Sequence, residues 1–436
     1  MKPSNYNFFF PYEADDDKVI AYNSFSNALA LMNKEQHGVF KRFCDEGIAI
    51  DDSNFVEQLM AEHFIIEDSC DEIDRLRVRM LANRYSTRHL GLTIAPTSDC
   101  NFRCPYCYEK DAISQCYMNQ QVQDKIVELV MHQSKYITYL SVSWYGGEPL
   151  LAFDTIESLS KRLIEICNEK DITYNANIVT NGYLLTRDVV TKMNDLQISS
   201  IQITIDGTKD THDARRPHVD GQGTYDTILK NIIDNVDILP FTSIRVNVDK
   251  DNIHSAGNVI DTLKQHDLLG KIKPYLGRIT PDNDTYDSSR CFDICSFSGQ
   301  DFEYFSSMID DAEFMRRYPV SASNVCLADC FNAFVVSADG SLYKCWIDIG
   351  NDSRCIGNIV DGSGGNQDLL HKYLLNDPTE NIQCSKCKLL PVCMGGCPYK
   401  RLNSDESCSI YKYTLASYMN LIAEKVKQSS SAIVSA

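Results

Sequence analysis

Three cysteines stand close together as Cys100-x3-Cys104-x2-Cys107. A closed structural zinc site takes four protein ligands, and the nearby candidates for a fourth, Cys116 and His89, lack the usual pair spacing. A four-iron cluster held by three thiolates keeps one iron open, and an open iron can bind a substrate or cofactor. A second concentration reads Cys384-x2-Cys387-x5-Cys393-x3-Cys397 with Cys408 beyond it, five thiols in 25 residues, and upstream lies Cys330-x9-Gly340-x4-Cys345 with Cys326 before it. Paired thiols of this kind suit iron-sulfur clusters and zinc ribbons alike. Cys44, Cys70, Cys116 and Cys167 are isolated and read as small buried hydrophobes, and Cys291, Cys295 and Cys355 fall outside both patterns.

The elements around these thiols have a regular order. From Leu90 onward, β-branched runs ending in Gly, Asn or Asp alternate with amphipathic stretches, the pattern of successive βα units. Strands are expected at Leu90 to Thr97, Leu140 to Tyr145, Tyr174 to Thr180, Ser200 to Ile205, Ser243 to Val248 and Ile272 to Gly277. Between them, Tyr225 to Ile238 repeats Ile228, Leu229, Ile232, Ile233 and Val236 on one helical face. Another helix is expected near Asp154, capped by that residue with Glu157 three positions on. Six such units predict an α/β fold, a partial (β/α)6 TIM-like barrel with its chemistry at the carboxyl ends of the strands. The unusual sequences fall there: the cysteine triplet, Gly146-Gly147-Glu148-Pro149, Thr180-Asn181-Gly182 and Asp206-Gly207.

Composition narrows the rest. The net charge is -18, from 60 acidic and 42 basic side chains, a poor match to phosphate backbones, so no nucleic-acid partner is expected. Met1 to Asp17 lacks a basic n-region and a cleavage site, and no apolar run approaches the roughly 20 residues of a membrane helix. A cytoplasmic protein with no membrane partner is the expectation. Its 18 cysteines then point to metal ligation rather than disulfides.

The segment Cys-Asn-Phe-Arg-Cys-Pro-Tyr-Cys-Tyr-Glu resembles the signature loop of radical S-adenosylmethionine (SAM) enzymes, and Gly146-Gly147-Glu148-Pro149 resembles their GGEP segment. The resemblance implies that Cys100, Cys104 and Cys107 ligate a catalytic [4Fe-4S] cluster whose open iron is chelated by SAM. It implies further that Gly146, Gly147 and Glu148 hold the methionine amino group, the glycines admitting close approach because they lack a Cβ. Thr204 and Arg216 are carried over as SAM contacts. Arg215 is adjacent, and a surface ion pair is the alternative for either arginine. Asn181 either turns toward the site or only ends its strand.

The stretch from about Cys326 to Cys408 resembles the SPASM extension of that family, which binds two auxiliary [4Fe-4S] clusters. By that resemblance Cys330, Cys345 and Cys397, with Cys326 as a further candidate, hold the first, and Cys384, Cys387, Cys393 and Cys408 hold the second. Cys326 and Cys330 both satisfy the permitted distance to Gly340. If only one of them binds, an iron of the first auxiliary cluster is open to a substrate thiolate.

The implied reaction is one-electron cleavage of SAM to methionine and a 5′-deoxyadenosyl radical, which abstracts hydrogen from substrate. About 90 residues precede the triplet, more than one barrel strand requires. Residues 1–84 read as winged-helix-like, with a hairpin (Asn7 to Phe10, Val19 to Asn23), helices near Ala28 to Cys44 and Asn54 to Glu62, and a strand at Phe64 to Glu67, and they resemble the peptide-recognition domain of maturases of ribosomally made peptides. The alternative for this block is a structural cap. The barrel occupies 85–280, an irregular bridge 281–325, a C-terminal cysteine-rich SPASM domain 326–428 with a helix from Ser409 to Lys427, and a flexible tail 429–436. The resemblance is to peptide maturases that act on a ribosomally made precursor peptide with a leader segment, forming a thioether or other side-chain crosslink, with an electron donor such as flavodoxin or ferredoxin.

The alternative within the family is an anaerobic sulfatase maturase, making formylglycine from a protein Cys or Ser. Those enzymes typically place an Asp base directly after the cysteine equivalent to Cys345. Here that position is Trp346, with Asp348 nearby as a substitute. A non-enzymatic iron-sulfur or zinc scaffold, serving at most electron transfer, is the third reading.

Overall fold

Short apolar runs near the N-terminus form strands because each face of them finds a partner. In the computed structural model, which describes residues 1–308, 317–404 and 407–434, these are β1 (Lys2–Pro3), β2 (Asn7–Pro11), β3 (Lys18–Asn23), β4 (Leu29–Asn33) and β5 (Ile65–Ile66). β2, β3 and β4 make an antiparallel sheet, and β1 pairs with β5. Successive side chains of a strand point to opposite faces. Phe8 and Phe10 of β2 pack with Tyr22, Leu415 and Met419, while Phe9 packs with Phe40, Phe55 and Leu59. This two-sided burial explains a run without polar alternation.

The helix expected from Ala28 is part strand. Leu29–Asn33 pairs with β3 in register, Ala30 opposite Ala21, and the helix Lys34–Glu46 starts only where Asn33 and Gln36 form a capping box. The stretch expected to be irregular contains the helix Ile294–Ser306. Its buried Asp301 receives hydrogen bonds from Arg317 and Tyr418, and Phe302 and Phe305 pack on the Tyr418 ring, in the C-terminal helix Tyr411–Val434. These long-range contacts define the helix more than its own periodicity does.

The chain divides into two compact units, one comprising Met1–Asn83, Ile294–Cys326 and Asn376–Ala436, the other Arg84–Asp293 and Leu327–Leu375. The second unit has the α/β fold with a mostly parallel central sheet expected of a partial barrel. Its strands are β6 (His89–Ile94), β7 (Tyr139–Trp144), β8 (Thr173–Thr180), β9 (Ile198–Thr204), β10 (Phe241–Val248) and β11 (Ile272–Arg278), followed by β12 (Ala333–Val336), β13 (Ser341–Tyr343) and β14 (Gly357–Asn358). The order is β11-β10-β9-β8-β7-β6-β12-β13-β14. β6 to β11 are parallel neighbours in sequence order, as the βα pattern requires. β12 joins parallel to β6, with Gly91 opposite Ala333, and β13 and β14 continue antiparallel.

The helix Tyr225–Asn235 buries Ile228 and Ile232 as its periodicity predicts. The helix after β7 begins differently from expectation. A 3-10 turn, Pro149–Ala152, opens with the Glu148 carboxylate accepting from the Leu150 amide, and Asp154 lies inside the first turn of Phe153–Glu169 without a capping bond. Pro149 starts the turn early and Glu148 takes the capping role. Among the described residues no helix is long and apolar enough to cross a membrane.

Candidate active site

The cysteine triplet follows β6 on a loop fixed from both sides. The Cys100 amide donates to Asp99 Oδ1 at 2.8 Å, and the Phe102 amide points at Cys100 Sγ, 3.4 Å away. Phe102 is fully buried, edge-on to Tyr183 and His218. The Arg103 and Val219 amides donate to the Pro217 and Asn101 carbonyls at 2.9 and 2.7 Å. The loop is thereby strapped to the segment that carries Arg216.

The two glycines after β7 admit a close approach of backbone to backbone. A Cβ on Gly147 would lie 2.1 Å from the Asp99 carbonyl oxygen, and one on Gly146, whose φ is +113°, would lie 2.6 Å from that of Thr97. The amides of Gly147 and Glu148 donate to these same two carbonyls, at 3.3 and 2.8 Å. The space a side chain would fill is occupied by the backbone of the cysteine loop, so the glycines allow one loop to lie against the other.

Glu148 is buried, and its carboxylate ties the ends of β7 and β8 together. Its Oε1 accepts from the Leu150 amide and Thr180 Oγ1, at 3.0 and 2.6 Å, and its Oε2 from the Asn181 amide at 2.7 Å. Burial raises its pKa against these hydrogen bonds. Asn181 both ends its strand and faces the loop: its Oδ1 accepts from the Tyr183 amide, while its Nδ2 donates to Asn101 Oδ1 at 2.7 Å. Thr204, the last residue of β9, is buried beside β10, opposite Arg245.

Arg215 and Arg216 are both buried, which removes the surface ion-pair alternative. Arg216 Nη1 donates to the Tyr106 hydroxyl at 2.7 Å, and that hydroxyl donates to Asp206 Oδ2. Arg216 also lies over the Phe102 ring, 5.6 Å from its centroid. Arg215 crosses the other way, with Nη1 on Asp249 Oδ2 at 3.0 Å and its guanidinium 5.1 Å above the Tyr106 ring. Arg216 Nε and Arg215 Nη2 are buried with no hydrogen-bond partner.

Electrostatics complete the picture. Burial pushes the Cys100 thiol up to about 12, with Glu148 adding to it, and raises Cys107 further. Cys104 is raised by burial and pulled back by Arg216. The three sulfurs perturb one another, so the structure brings them together. Such thiols ionise only beside strong positive charge, which bound iron would supply. Among the described residues no three His, Cys, Asp or Glu side chains converge where one metal ion could sit. Thiolates of a four-iron cluster each bind a different iron and need not converge.

Residues 94–263 match the family model described as the radical SAM superfamily. The chain carries a radical SAM domain. A cysteine-type anaerobic sulfatase-maturating enzyme of Clostridium novyi (strain NT) is 23% identical over 342 residues, 71% of this chain and 88% of that protein. Its counterpart in Clostridium perfringens (strain 13 / Type A) is 22% identical over 366 residues, 76% and 94%. Among solved structures, native anSMEcpe with bound AdoMet and Kp18Cys peptide superposes with TM-score 0.60 at 20% identity, over 77% of this chain and 99% of that one. Streptococcus suis SuiB bound to precursor peptide SuiA gives TM-score 0.52 at 14% identity, over 94% and 99%.

Outside the radical SAM domain the remaining thiols fall into separate groups. Cys384, Cys387, Cys393 and Cys408 lie in one unit and perturb one another electrostatically. Gly395 and Gly396, at φ +79° and +72°, fold the segment after Cys393 so closely that a Cβ on Gly396 would meet the Ser407 carbonyl at 1.6 Å. That contact delivers Cys408. Cys397 in the same unit is exposed, as is Cys326. Cys330 and Cys345 lie in the other unit, where the buried Lys344 ammonium bonds the Cys330 carbonyl and the buried pair Arg84–Asp329 holds the preceding turn.

One group escaped the sequence reading. The loop after Cys107 packs on the loop after Cys345: Asn283 Nδ2 donates to both the Tyr108 and Ile347 carbonyls, at 3.2 and 2.9 Å. Tyr108 and Tyr145 join hydroxyl to hydroxyl, and the Tyr145 ring stacks on Trp346 at 5.0 Å and 10°. Beside them Glu109 is 7% exposed, its Oε1 buried without a partner, and burial pushes its pKa up to about 8. Nothing in the order Cys-Tyr-Glu signals this, because the burial comes from distant loops. Asp348, the sequence candidate for a base, is fully buried, held by Arg354 Nε and by the Tyr373 hydroxyl at 3.1 Å.

Proposed function

We propose that this radical SAM enzyme is a peptide maturase that forms a thioether or another side-chain crosslink in a ribosomally made precursor peptide. The observation that carries this reading is the position after Cys345. It holds Trp346, a half-exposed aromatic, and the nearest acid, Asp348, is already neutralised in a buried ion pair. A formylglycine maturase needs a proton acceptor there, and Asp348 does not serve as one. The extent of the fold likeness supports the same reading, since the match to the SuiB complex spans 94% of this chain against 77% for anSMEcpe.

In this reading Cys100, Cys104 and Cys107 hold the catalytic cluster, and the buried, unpartnered nitrogens of Arg216 and Arg215 present positive charge suited to an anionic group such as the SAM carboxylate. Glu148 and Asn181 keep the strand ends in place around them, and Thr204 lines the same end of the sheet. When bound, cluster and SAM supply the 5′-deoxyadenosyl radical that takes hydrogen from the substrate. The chain's own residues orient the target bond and exclude water. Cys384, Cys387, Cys393 and Cys408 hold an auxiliary [4Fe-4S] cluster, and Cys330 and Cys345 contribute to another, fed by a donor of the flavodoxin or ferredoxin kind. The β2-β3-β4 sheet has two edge strands, β2 and β4, either of which suits a leader peptide adding as a further strand.

Sulfatase maturation is the second reading, favoured by the named activity of the relatives with 23% and 22% identity. Anaerobic turnover with a precursor peptide encoded near this gene, followed by intact mass analysis, separates the two. Loss of two hydrogens supports the crosslink. Conversion of a Cys or Ser to an aldehyde establishes the alternative.

A further inference from the structure

Glu109 poses a problem that neither the catalytic triplet nor the Arg216 network solves. A carboxyl group that is more than nine-tenths buried ordinarily has its oxygens satisfied, because an unpaired buried acceptor costs about 1–3 kcal/mol. Here Oε1 has no donor. The groups that sense Glu109 electrostatically are Cys107, Tyr108 and Tyr145, none of them a cation. One phenol spends its proton on the other, and neither hydroxyl is a hydrogen-bond partner of Oε1.

What adjoins the carboxyl is equally specific. Tyr145, next in chain to Gly146, presents one face to Trp346, and Trp346 itself is 42% exposed. The loops carrying Glu109 and Trp346 are clamped by Asn283 and meet again where a Cβ on Gly350 would lie 2.4 Å from that of Ala112. An unpaired carboxyl oxygen beside a stacked aromatic pair is half of a recognition site. The missing half is a cation on an apolar stem, which a carboxylate binds by a charge-assisted hydrogen bond and an aromatic face by cation–π attraction.

We propose that Glu109, with the Tyr145–Trp346 stack, is a subsite for a basic side chain, lysine or arginine, of the peptide substrate. This rests on the peptide-maturase reading and names the residue class that the substrate presents beside the catalytic loop. Glu109 acts by binding; the hydrogen abstracted belongs to whatever carbon the bound side chain places near the cluster.

The chain contains two tryptophans, and only Trp346 is exposed, Trp144 being fully buried. Tryptophan fluorescence of the anaerobically reconstituted enzyme with SAM therefore reports on the subsite. The probes are Nα-acetyl-lysine methylamide, its arginine counterpart and the uncharged isostere Nα-acetyl-norleucine methylamide. The basic probes are expected to bind about tenfold tighter than the norleucine probe, as a charge-assisted bond plus a cation–π contact implies. Glu109→Gln, which keeps shape and removes charge, is expected to erase that preference and leave SAM affinity unchanged. Trp346→Leu silences the fluorescence, so its binding is read by calorimetry, where both classes of probe should weaken.

Equal binding of basic and uncharged probes overturns the proposal, and so does a preference that survives Glu109→Gln. A Glu109→Gln variant that loses SAM affinity instead assigns the carboxyl to the cofactor and also overturns it. Failure of the maturase reading looks different: an aldehyde product, with the lysine preference intact, sinks that reading alone. An aldehyde product that vanishes in Glu109→Gln with probe binding unaltered would make Glu109 a base and refute the subsite.

Discussion

Arg216 reaches the Tyr106 hydroxyl at 2.7 Å, and the same hydroxyl passes its proton toward Asp206, so one phenol positions the arginine beside the sulfur of Cys104. Tyr106 is the aromatic residue just before the last cysteine of the triplet. It is a positioning residue: its ring is clamped under Arg215 and its oxygen aims Arg216.

Tyr106→Phe should therefore weaken SAM binding without emptying the cluster. Losing one buried hydrogen bond to a charged group costs about 1–2 kcal/mol, roughly 5- to 30-fold in affinity. Equilibrium binding under anaerobic conditions, with iron content measured on the same sample, checks this. An unchanged SAM dissociation constant would show that Arg216 holds its place without the phenol.

Gly147→Ala should cost more than any surface change of equal size. The new methyl would meet the Asp99 carbonyl oxygen, and backbone cannot swing aside as a side chain can. A destabilisation of about 1–3 kcal/mol is expected from overpacking, with reduced iron in the catalytic loop. Denaturant midpoint and iron stoichiometry report the two effects separately, and wild-type values for both would refute the close contact.

His212 makes stability depend on pH. It is buried, with Nδ1 accepting from the Asp206 amide and Nε2 facing Thr224 Oγ1, which fixes the neutral ring. Burial, helped by Arg216, lowers its pKa to about 3. Below the ordinary value near 6.5 the unfolded chain gains a proton that the folded one refuses, so stability is full above that pH and falls as pH drops toward 3. The loss is about 1.4 kcal/mol per unit, or about 2 kcal/mol by pH 5. His212→Gln should flatten the denaturant midpoint between pH 6.5 and 5; an equally steep curve in the variant would assign the dependence to other groups.

Cys393→Ala should remove about four irons per chain while leaving SAM cleavage chemistry at the triplet measurable, because Cys393 belongs to a four-thiol set of its own. Cys355→Ala should remove none. Iron and sulfide analysis after anaerobic reconstitution checks both, and equal loss in the two variants would argue that the protein had merely unfolded.

The strands of the sheet were legible because each buries an apolar run between turn residues, and β6 to β11 begin and end within a few residues of where those runs do. The cysteine triplet stands out in the sequence by its spacing, and its resemblance rests on the residues between the cysteines. What stayed hidden depends on partners far away in sequence. Leu29–Asn33 reads equally well as the start of a helix until β3 lies beside it. Asp154 looks like a cap until Pro149 turns the chain first. Glu109 and Asp249 look like ordinary surface acids, and only the folded loops bury them. The glycines of the GGEP segment signal close approach in the sequence, and only the fold shows the backbone of the cysteine loop lying against them.

The pairing of β12 with β6 has a consequence for biosynthesis. β6 is an edge of the parallel set until Ala333–Val336 arrives to cover it, and a bare edge is a template for another chain. A nascent polypeptide emerging from the ribosome completes β6 to β11 long before that patch is made. Translation halted between the two would release a product with that flank bare, so the late segment closes an edge on which another chain could pair.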